Sequence, residues 1–166
     1  MKETQELKEI DFRIISMLQD NAGQSYGDIA KELSVSEGTI YNRITRLKKS
    51  GIIRKFIADI DFSKLGYDLD VVMGVLAEGN MLQQMEQDLA IEPNINKVYE
   101  VTGDYNLILS GKFKDRESLN GLIKRISGMP NVKRVLTLLV MNTVKDRPYI
   151  DIHSEKKRRN VLEPRQ

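Results

Sequence analysis

A run of basic residues stands between positions 43 and 55 of the 166-residue chain, with no acidic residue inside it. Its six members are Arg43, Arg46, Lys48, Lys49, Arg54 and Lys55. Side chains with amide, hydroxyl and aromatic groups stand close by: Thr39, Tyr41, Asn42 and Thr45. Guanidinium groups hydrogen-bond guanine, an amide hydrogen-bonds adenine, and lysine suits phosphates. The mixture predicts binding to double-stranded DNA, and an ordinary helix with a solvated basic face is the alternative.

Three short helices are predicted to position these side chains. Apolar residues recur at helical spacing over residues 7–20, and YGDIAKEL forms a second helix after the interruption NAGQS. A three-residue turn then leads to Ser36, which suits the N-cap of a third helix, and Gly51 suits its end. This is the helix-turn-helix pattern, in which the last helix enters the major groove.

The third helix has an apolar side formed by Ile40, Ile44 and Leu47. The other sides and the residues just beyond the helix supply the predicted DNA contacts, which are Ser36, Gly38, Thr39, Tyr41, Asn42, Arg43, Thr45, Arg46, Lys49, Arg54 and Lys55. Lys48 also lies at the basic end, which suits phosphates. Arg43 lies near the apolar side, so an ion pair with an acid of the first helix, such as Asp11, stands beside DNA contact as an open alternative.

The composition argues against several other kinds of site. The chain has no cysteine and a single histidine, His153, so we expect no Cys-based zinc site, thiol catalysis or Ser-His-Asp triad. The formal net charge is only +2, so attraction to nucleic acid must come from local clustering. No apolar run reaches the roughly 18 residues of a membrane span, and the N-terminus lacks a signal-peptide core. We expect a cytoplasmic protein that is not an enzyme and holds no metal or cofactor.

The second half of the chain has the pattern of a ferredoxin-like domain. Period-two alternation predicts a strand over residues 55–62, and SKLGYDLD follows as a polar connection. Four further strands are predicted, over 71–77, 95–101, 106–113 and 132–144. One helix follows Gly79-Asn80 and another is capped by Asp115, which completes a β-α-β-β-α-β order. That order predicts one antiparallel sheet with both helices on one face, and a second copy of the chain is the simplest cover for the other face.

The predicted fold class is therefore α+β, with four parts along the chain. They are a helix-turn-helix DNA-binding domain over 1–53, a strand and hinge linker over 54–69, a ferredoxin-like ligand-sensing and dimerisation domain over 70–145, and a polar basic tail over 146–166.

These segments together resemble the Lrp/AsnC family of transcriptional regulators, the leucine-responsive or feast/famine regulators. The resemblance is carried by IDFRIISMLQDNA, IAKELSVS, the spacing of Ser36, Arg43, Leu47 and Gly51-Ile52-Ile53, and then VTGDYNLIL and GMPNVKRVLTLLVM. It implies sequence-specific regulation of transcription by dimers that assemble into tetramers or octamers. It also implies an amino-acid or other small-molecule effector.

The effector contacts that the resemblance implies lie in one loop and in the last strand: Thr102, Gly103, Asp104, Tyr105, Asn106 and Thr137. Three positions depart from the family pattern. Asn106 stands where aspartate is usual, Val135 where a threonine is frequent, and Gly23 where a basic residue is frequent. The first two weigh against amino-acid sensing, since asparagine holds an ammonium group less strongly than aspartate does. The loop residues also fit an ordinary tight turn.

Two other functions are alternatives to sequence-specific regulation. The basic tail and hinge would suit an architectural protein that wraps DNA with little sequence preference. A branch of proteins resembling the family decarboxylates sirohaem and looks to need histidine and tyrosine near the tetrapyrrole. The predicted domains before the tail contain no histidine, which argues against catalysis.

Overall fold

The computed structural model describes residues 6–78, 82–147, 149, 150 and 152. The chain is a mixed α+β protein with two compact units. One unit is Ile60–Lys145, and the other comprises the described parts of Met1–Asp59 and Asp146–Gln166. The division falls inside the stretch predicted as a linker, and the tail from residue 153 onward lies outside the described residues.

Three helices in succession form the N-terminal unit and confirm the predicted helix-turn-helix. They are α1 (Glu9–Asp20), α2 (Tyr26–Leu33) and α3 (Glu37–Lys49). Ser36 caps α3 as predicted, because its hydroxyl oxygen accepts the Thr39 N–H at 3.2 Å. Gly51 follows the helix with a φ of 75°, a left-handed conformation that glycine adopts without strain.

The apolar sides of the three helices meet in one core. Ile14, Ile29 and Ile40 are fully buried, and Ile44 and Leu47 are nearly so. Because α3 turns Ile40, Ile44 and Leu47 inward, most of its polar residues lie on its other sides.

The strand predicted over residues 55–62 is wrong. Residues 54–61 have no regular secondary structure, and a short 3-10 helix spans Phe62–Leu65. A strand needs a neighbour whose N–H and C=O groups complete its ladder, and the described chain places none beside this segment. Its apolar side chains are therefore exposed, among them Phe56, Ile57 and Ile60.

The C-terminal unit has the predicted β-α-β-β-α-β order. Its elements are β1 (Leu69–Ala77), α4 (Leu82–Ala90), β2 (Ile95–Glu100), β3 (Leu107–Phe113), α5 (Arg116–Ser127) and β4 (Val132–Leu139). The strands form one antiparallel sheet in the order β2-β3-β1-β4. Gly79-Asn80, predicted to precede α4, lies outside the described residues, and Asp115 caps α5 as predicted.

The last strand ends earlier than predicted. It was expected to reach residue 144, but β4 ends at Leu139, and the Val140 N–H donates one further bond to Asp70 O at 2.8 Å. The neighbouring strand β1 begins at Leu69, so later residues have no partner groups for a ladder. Met141 and Val144 are consequently exposed.

Both helices pack on the same face of the sheet. The core on that face combines alternate residues of β1 and β3 with apolar residues of α4 and α5: Val71, Met73, Val75, Leu107, Leu109, Phe113, Met85, Leu89, Leu119, Leu122 and Ile126. None of the described helices is long and apolar enough to span a membrane.

The opposite face of the sheet, here called the open face, also carries apolar side chains. Its members alternate with the core residues along each strand, and the register pairs Val72 with Leu138 and Ile108 with Tyr99. Leu138 is 52 % exposed and Tyr99 is 51 % exposed. Apolar side chains aligned on one sheet face are typical of a surface that another protein layer covers.

Candidate nucleic-acid interface

The outer surface of α3 displays the polar residues predicted to contact DNA. Gly38, Tyr41, Asn42 and Lys49 are exposed, whereas Thr39 and Thr45 are half-buried. Because the inward side of the same helix is packed in the core, the outer side chains are held on a rigid support. An amide, a hydroxyl and an ammonium group on one helix face match the groups that the DNA major groove presents.

The N-terminal end of α3 is capped by the side chain of Ser36. The Ser36 and Thr39 hydroxyl groups are 2.8 Å apart, and Ser36 also accepts the Thr39 N–H. Nearby, the Tyr41 ring lies 6.4 Å from the Tyr26 ring, centroid to centroid, with a tilt of 57°. Tyr26 stands at the start of α2, so the helix-turn-helix presents an aromatic pair that the sequence analysis did not predict.

The two arginines of α3 both contact Asp11 of α1. Arg43 Nη1 lies 2.9 Å from Asp11 Oδ1, and Arg46 Nη2 lies 2.8 Å from Asp11 Oδ2. The alternative of an ion pair for Arg43 is thus the arrangement observed, and Arg46, expected at a DNA base, is in an ion pair as well. The sequence already indicates such ion pairs, because Asp11 stands among the apolar residues of α1 and a buried carboxylate needs a partner of opposite charge.

Asp11 stays ionised in this setting. Burial alone would raise its pKa, but the Lys8 N–H and the guanidinium groups of Arg43 and Arg46 stabilise the carboxylate and bring the pKa below its ordinary value. The side chain is 0 % exposed, so solvent screens its negative charge less than it would screen a carboxylate at the surface.

Other basic side chains lie at the end of α3 and beyond it. The Lys48 ammonium group is 4.7 Å from the centroid of the Phe56 ring. Lys49, Arg54 and Lys55 are exposed, and no ion pair joins them to an acid among the described residues. These positions suit contacts with phosphates.

The loop predicted to bind an effector joins β2 to β3. Thr102, Gly103 and Asp104 are exposed at its tip, and Gly103 has a φ of 117°, which only glycine adopts readily. Tyr105 folds back onto the open face, over Gly74, where a Cβ atom would lie 2.9 Å from the ring.

Asn106 forms part of the sheet. Its side-chain oxygen accepts the Ala77 N–H at 2.7 Å, and its own N–H donates to Val75 O at 2.9 Å. These bonds extend the pairing of β3 with β1 beyond its last regular residue. The oxygen expected to hold a ligand's ammonium group is therefore bonded to the backbone.

Thr137 lies on the other side of the sheet from Tyr105. Its register partner is Met73, a core residue, so Thr137 faces the helices, whereas Tyr105 covers Gly74 on the open face. One chain therefore does not gather the six predicted effector residues into one pocket. No cluster of three or more metal-binding side chains occurs in the part of the chain that the structure describes.

A helix-turn-helix with an exposed polar recognition helix, joined to a ferredoxin-like domain, defines a class of DNA-binding regulators. Two parts of the chain match the sequence patterns of known domain families. The winged helix-turn-helix DNA-binding domain matches residues 7–54, and the Lrp/AsnC ligand binding domain matches residues 70–150.

The similarity to known proteins covers most of this chain and nearly the whole length of each relative. An uncharacterised HTH-type transcriptional regulator of Pyrococcus abyssi is 39 % identical over 84 % of this chain and 95 % of the relative. The HTH-type transcriptional regulator FL11 of Pyrococcus horikoshii is 36 % identical over 84 % of this chain and 93 % of its own. The crystal structure of the regulator NMB0573 from Neisseria meningitidis in complex with L-Met covers 90 % of this chain and 99 % of its own, with a TM-score of 0.83 and 16 % identity.

The chain belongs to the Lrp/AsnC family of transcriptional regulators. It is a DNA-binding transcriptional regulator and not an enzyme, in keeping with its family and with the relatives described above.

Proposed function

We propose that the protein binds specific double-stranded DNA sites in the cytoplasm as a homodimer or a larger assembly of dimers. The observation that carries the proposal is the outer surface of α3, where Asn42, Thr45 and Lys49 stand on a helix whose apolar side is locked in the core. Asn42 and Thr45 suit base edges, with Gly38 allowing close approach. Lys49, Arg54 and Lys55 suit phosphates.

Replacing Asn42 with alanine should lower the preference for a specific site by about 1–3 kcal/mol, since a bidentate amide–adenine contact is lost. The experiment first enriches a binding site from a random duplex library with the wild-type protein. Competition binding then compares the enriched duplex with random duplex at physiological salt. Lys49→Ala is the matched control, because a lost phosphate contact weakens both duplexes equally.

The same experiment separates the proposal from architectural binding. If the wild-type protein binds enriched and random duplexes equally, or if Asn42→Ala leaves the ratio unchanged, base reading by this helix is refuted.

We propose that the dimer forms through the open face of the sheet. Val72, Leu76, Ile108 and Leu138 would be covered by the same residues of a second copy, which is the usual arrangement in a two-fold symmetric interface. A dimer would present two recognition helices to two half-sites of a pseudo-palindrome.

We also propose that a small molecule, an amino acid in the first instance, binds at the loop between β2 and β3. The complex of NMB0573 with L-Met and the match to a ligand binding domain support this. Asp104 is the exposed carboxylate of the loop, and Asn106 is bonded to the backbone. Since Thr137 faces away from Tyr105, a complete site would need residues of a neighbouring copy.

Replacing Asp104 with alanine should abolish any thermal shift that L-methionine or another standard amino acid produces in the wild-type protein. The reason is the loss of the carboxylate that would hold the ligand's ammonium group. Glu100→Ala, which removes an exposed carboxylate at the end of β2, serves as the matched control and should keep the shift. A shift that persists in Asp104→Ala would place the ligand elsewhere.

A further inference from the structure

Asp11 lies on a different helix from the DNA-facing residues, yet it forms ion pairs with two of the six cations in the basic run. Its buried carboxylate contacts Arg43 through one oxygen and Arg46 through the other. We propose that Asp11 sets the strength and the salt dependence of binding to DNA of any sequence: it holds both arginines back from DNA phosphates and leaves sequence-independent attraction to the exposed lysines and Arg54. This inference rests on the proposed DNA-binding function.

The exposure of the two arginines supports this role. The Arg43 side chain is 22 % exposed, and the Arg46 side chain is 36 % exposed. Arg43 Nε is buried and has no hydrogen-bond partner among the described residues. Burial of this side chain therefore extends from the end group that contacts Asp11 back to Nε. Each end group has one nitrogen within hydrogen-bonding distance of the buried Asp11 carboxylate.

The ion pairs also explain why DNA would not draw the arginines away. The carboxylate accepts the Lys8 N–H at 2.9 Å as well as the two guanidinium groups. Extracting an arginine would leave a buried charge with fewer partners, which is unfavourable in a low-dielectric interior. A contact between an exposed arginine and a phosphate is screened by salt, so it stabilises the arginine less than the ion pair with Asp11 does.

The consequence concerns the affinity for DNA of any sequence rather than the preference for one site. Phosphate contacts attract the protein to every DNA sequence, and each one makes binding more dependent on salt. Withholding two arginines lowers the affinity for every DNA sequence by the same factor and leaves the base contacts of Asn42 and Thr45 intact. The ratio of specific to random binding is therefore unchanged, whereas overall affinity and its dependence on salt are both lower.

The test measures the affinity of the full-length protein for a labelled random-sequence duplex over a range of salt concentrations. Asp11→Asn keeps the shape of the side chain and removes its charge, so the two arginines become available to phosphates. The slope of log K against log salt should then become steeper by about 1–2 per helix-turn-helix unit, since each phosphate contact contributes about 0.9. Affinity for random duplex at 0.1 M salt should rise by about tenfold for each arginine that binds a phosphate, from the same slope.

Two further variants keep the test decisive if Asp11→Asn does not fold. Arg46→Gln should leave the salt slope and the preference for the enriched duplex unchanged, because Arg46 is withheld from DNA in the wild type. Lys49→Gln should make the slope shallower by about 0.9, because an exposed phosphate contact is lost. Circular dichroism of each variant establishes that the helices are intact.

The outcomes separate this inference from the proposed function. A folded Asp11→Asn variant with an unchanged slope, or an Arg46→Gln variant with a shallower one, overturns the withholding role. Loss of preference for the enriched duplex in Arg46→Gln would show instead that Asp11 orients Arg46 toward a base. Failure of the wild-type protein to bind any duplex at low salt would refute the proposed function itself.

Discussion

Replacing Leu138 with aspartate is expected to dissociate the proposed dimer and to weaken binding to a two-half-site duplex by roughly 10²–10⁴-fold, because the advantage of linked binding units is lost. Leu138 is 52 % exposed on the open face, so a lone chain tolerates the change. In a symmetric interface two carboxylates would be buried without partners. Sedimentation velocity measures the assembly, and titration of the enriched duplex measures the affinity.

Leu139→Asp provides the matched control. The residue is the next one along β4 and has nearly the same exposure, 50 %, but its register partner is the core residue Val71, so it lies on the helix face. This variant should keep the wild-type mass. A dimer that survives Leu138→Asp, or a wild-type protein that is monomeric at working concentration, would refute an interface on the open face.

Replacing Phe113 with alanine is expected to lower the free energy of unfolding by about 3–5 kcal/mol, the usual loss for a buried phenylalanine. Phe113 is 1 % exposed, and its ring stands beside Gly111, where an added Cβ would lie 3.1 Å from Cε2. Surroundings this close-packed leave a cavity when the ring is removed. Since domains are stable by only about 5–15 kcal/mol, the loss is a large fraction of the total.

Urea denaturation of the full-length protein, followed by circular dichroism at one fixed concentration, measures the effect. A fixed concentration is needed because assembly contributes to stability. Ile91→Ala, at a residue that is 82 % exposed just after α4, should change the free energy of unfolding by less than about 0.5 kcal/mol. A loss below about 1 kcal/mol in Phe113→Ala would contradict a tightly packed core on the helix face.

The helices were predictable from the sequence because their causes are local. The apolar spacing of Ile40, Ile44 and Leu47, the cap at Ser36 and the end at Gly51 all lie within one segment, and the structure confirms each. The strands β1 and β3 and the cap at Asp115 were also predicted, and the structure confirms them.

Elements that depend on a partner were predicted less well. Alternation over residues 55–62 indicated a strand, but no neighbouring strand completes a ladder there among the described residues, and β4 ends where β1 offers no further groups. Periodicity reports which side chains share a face. It does not report which backbone groups will find partners.

The sequence by itself determined that this chain carries a helix-turn-helix and a ferredoxin-like sheet, and that one helix presents polar and basic groups suited to DNA. Only the tertiary structure decided which of those groups are available. Asp11 and Arg46 are 35 positions apart along the chain, yet they form an ion pair. Asn106 bonds to the backbone of β1, and Tyr105 and Thr137 lie on opposite faces of the sheet. Local order follows from neighbours in sequence, whereas the partner of a charge or an amide is set by packing between distant segments.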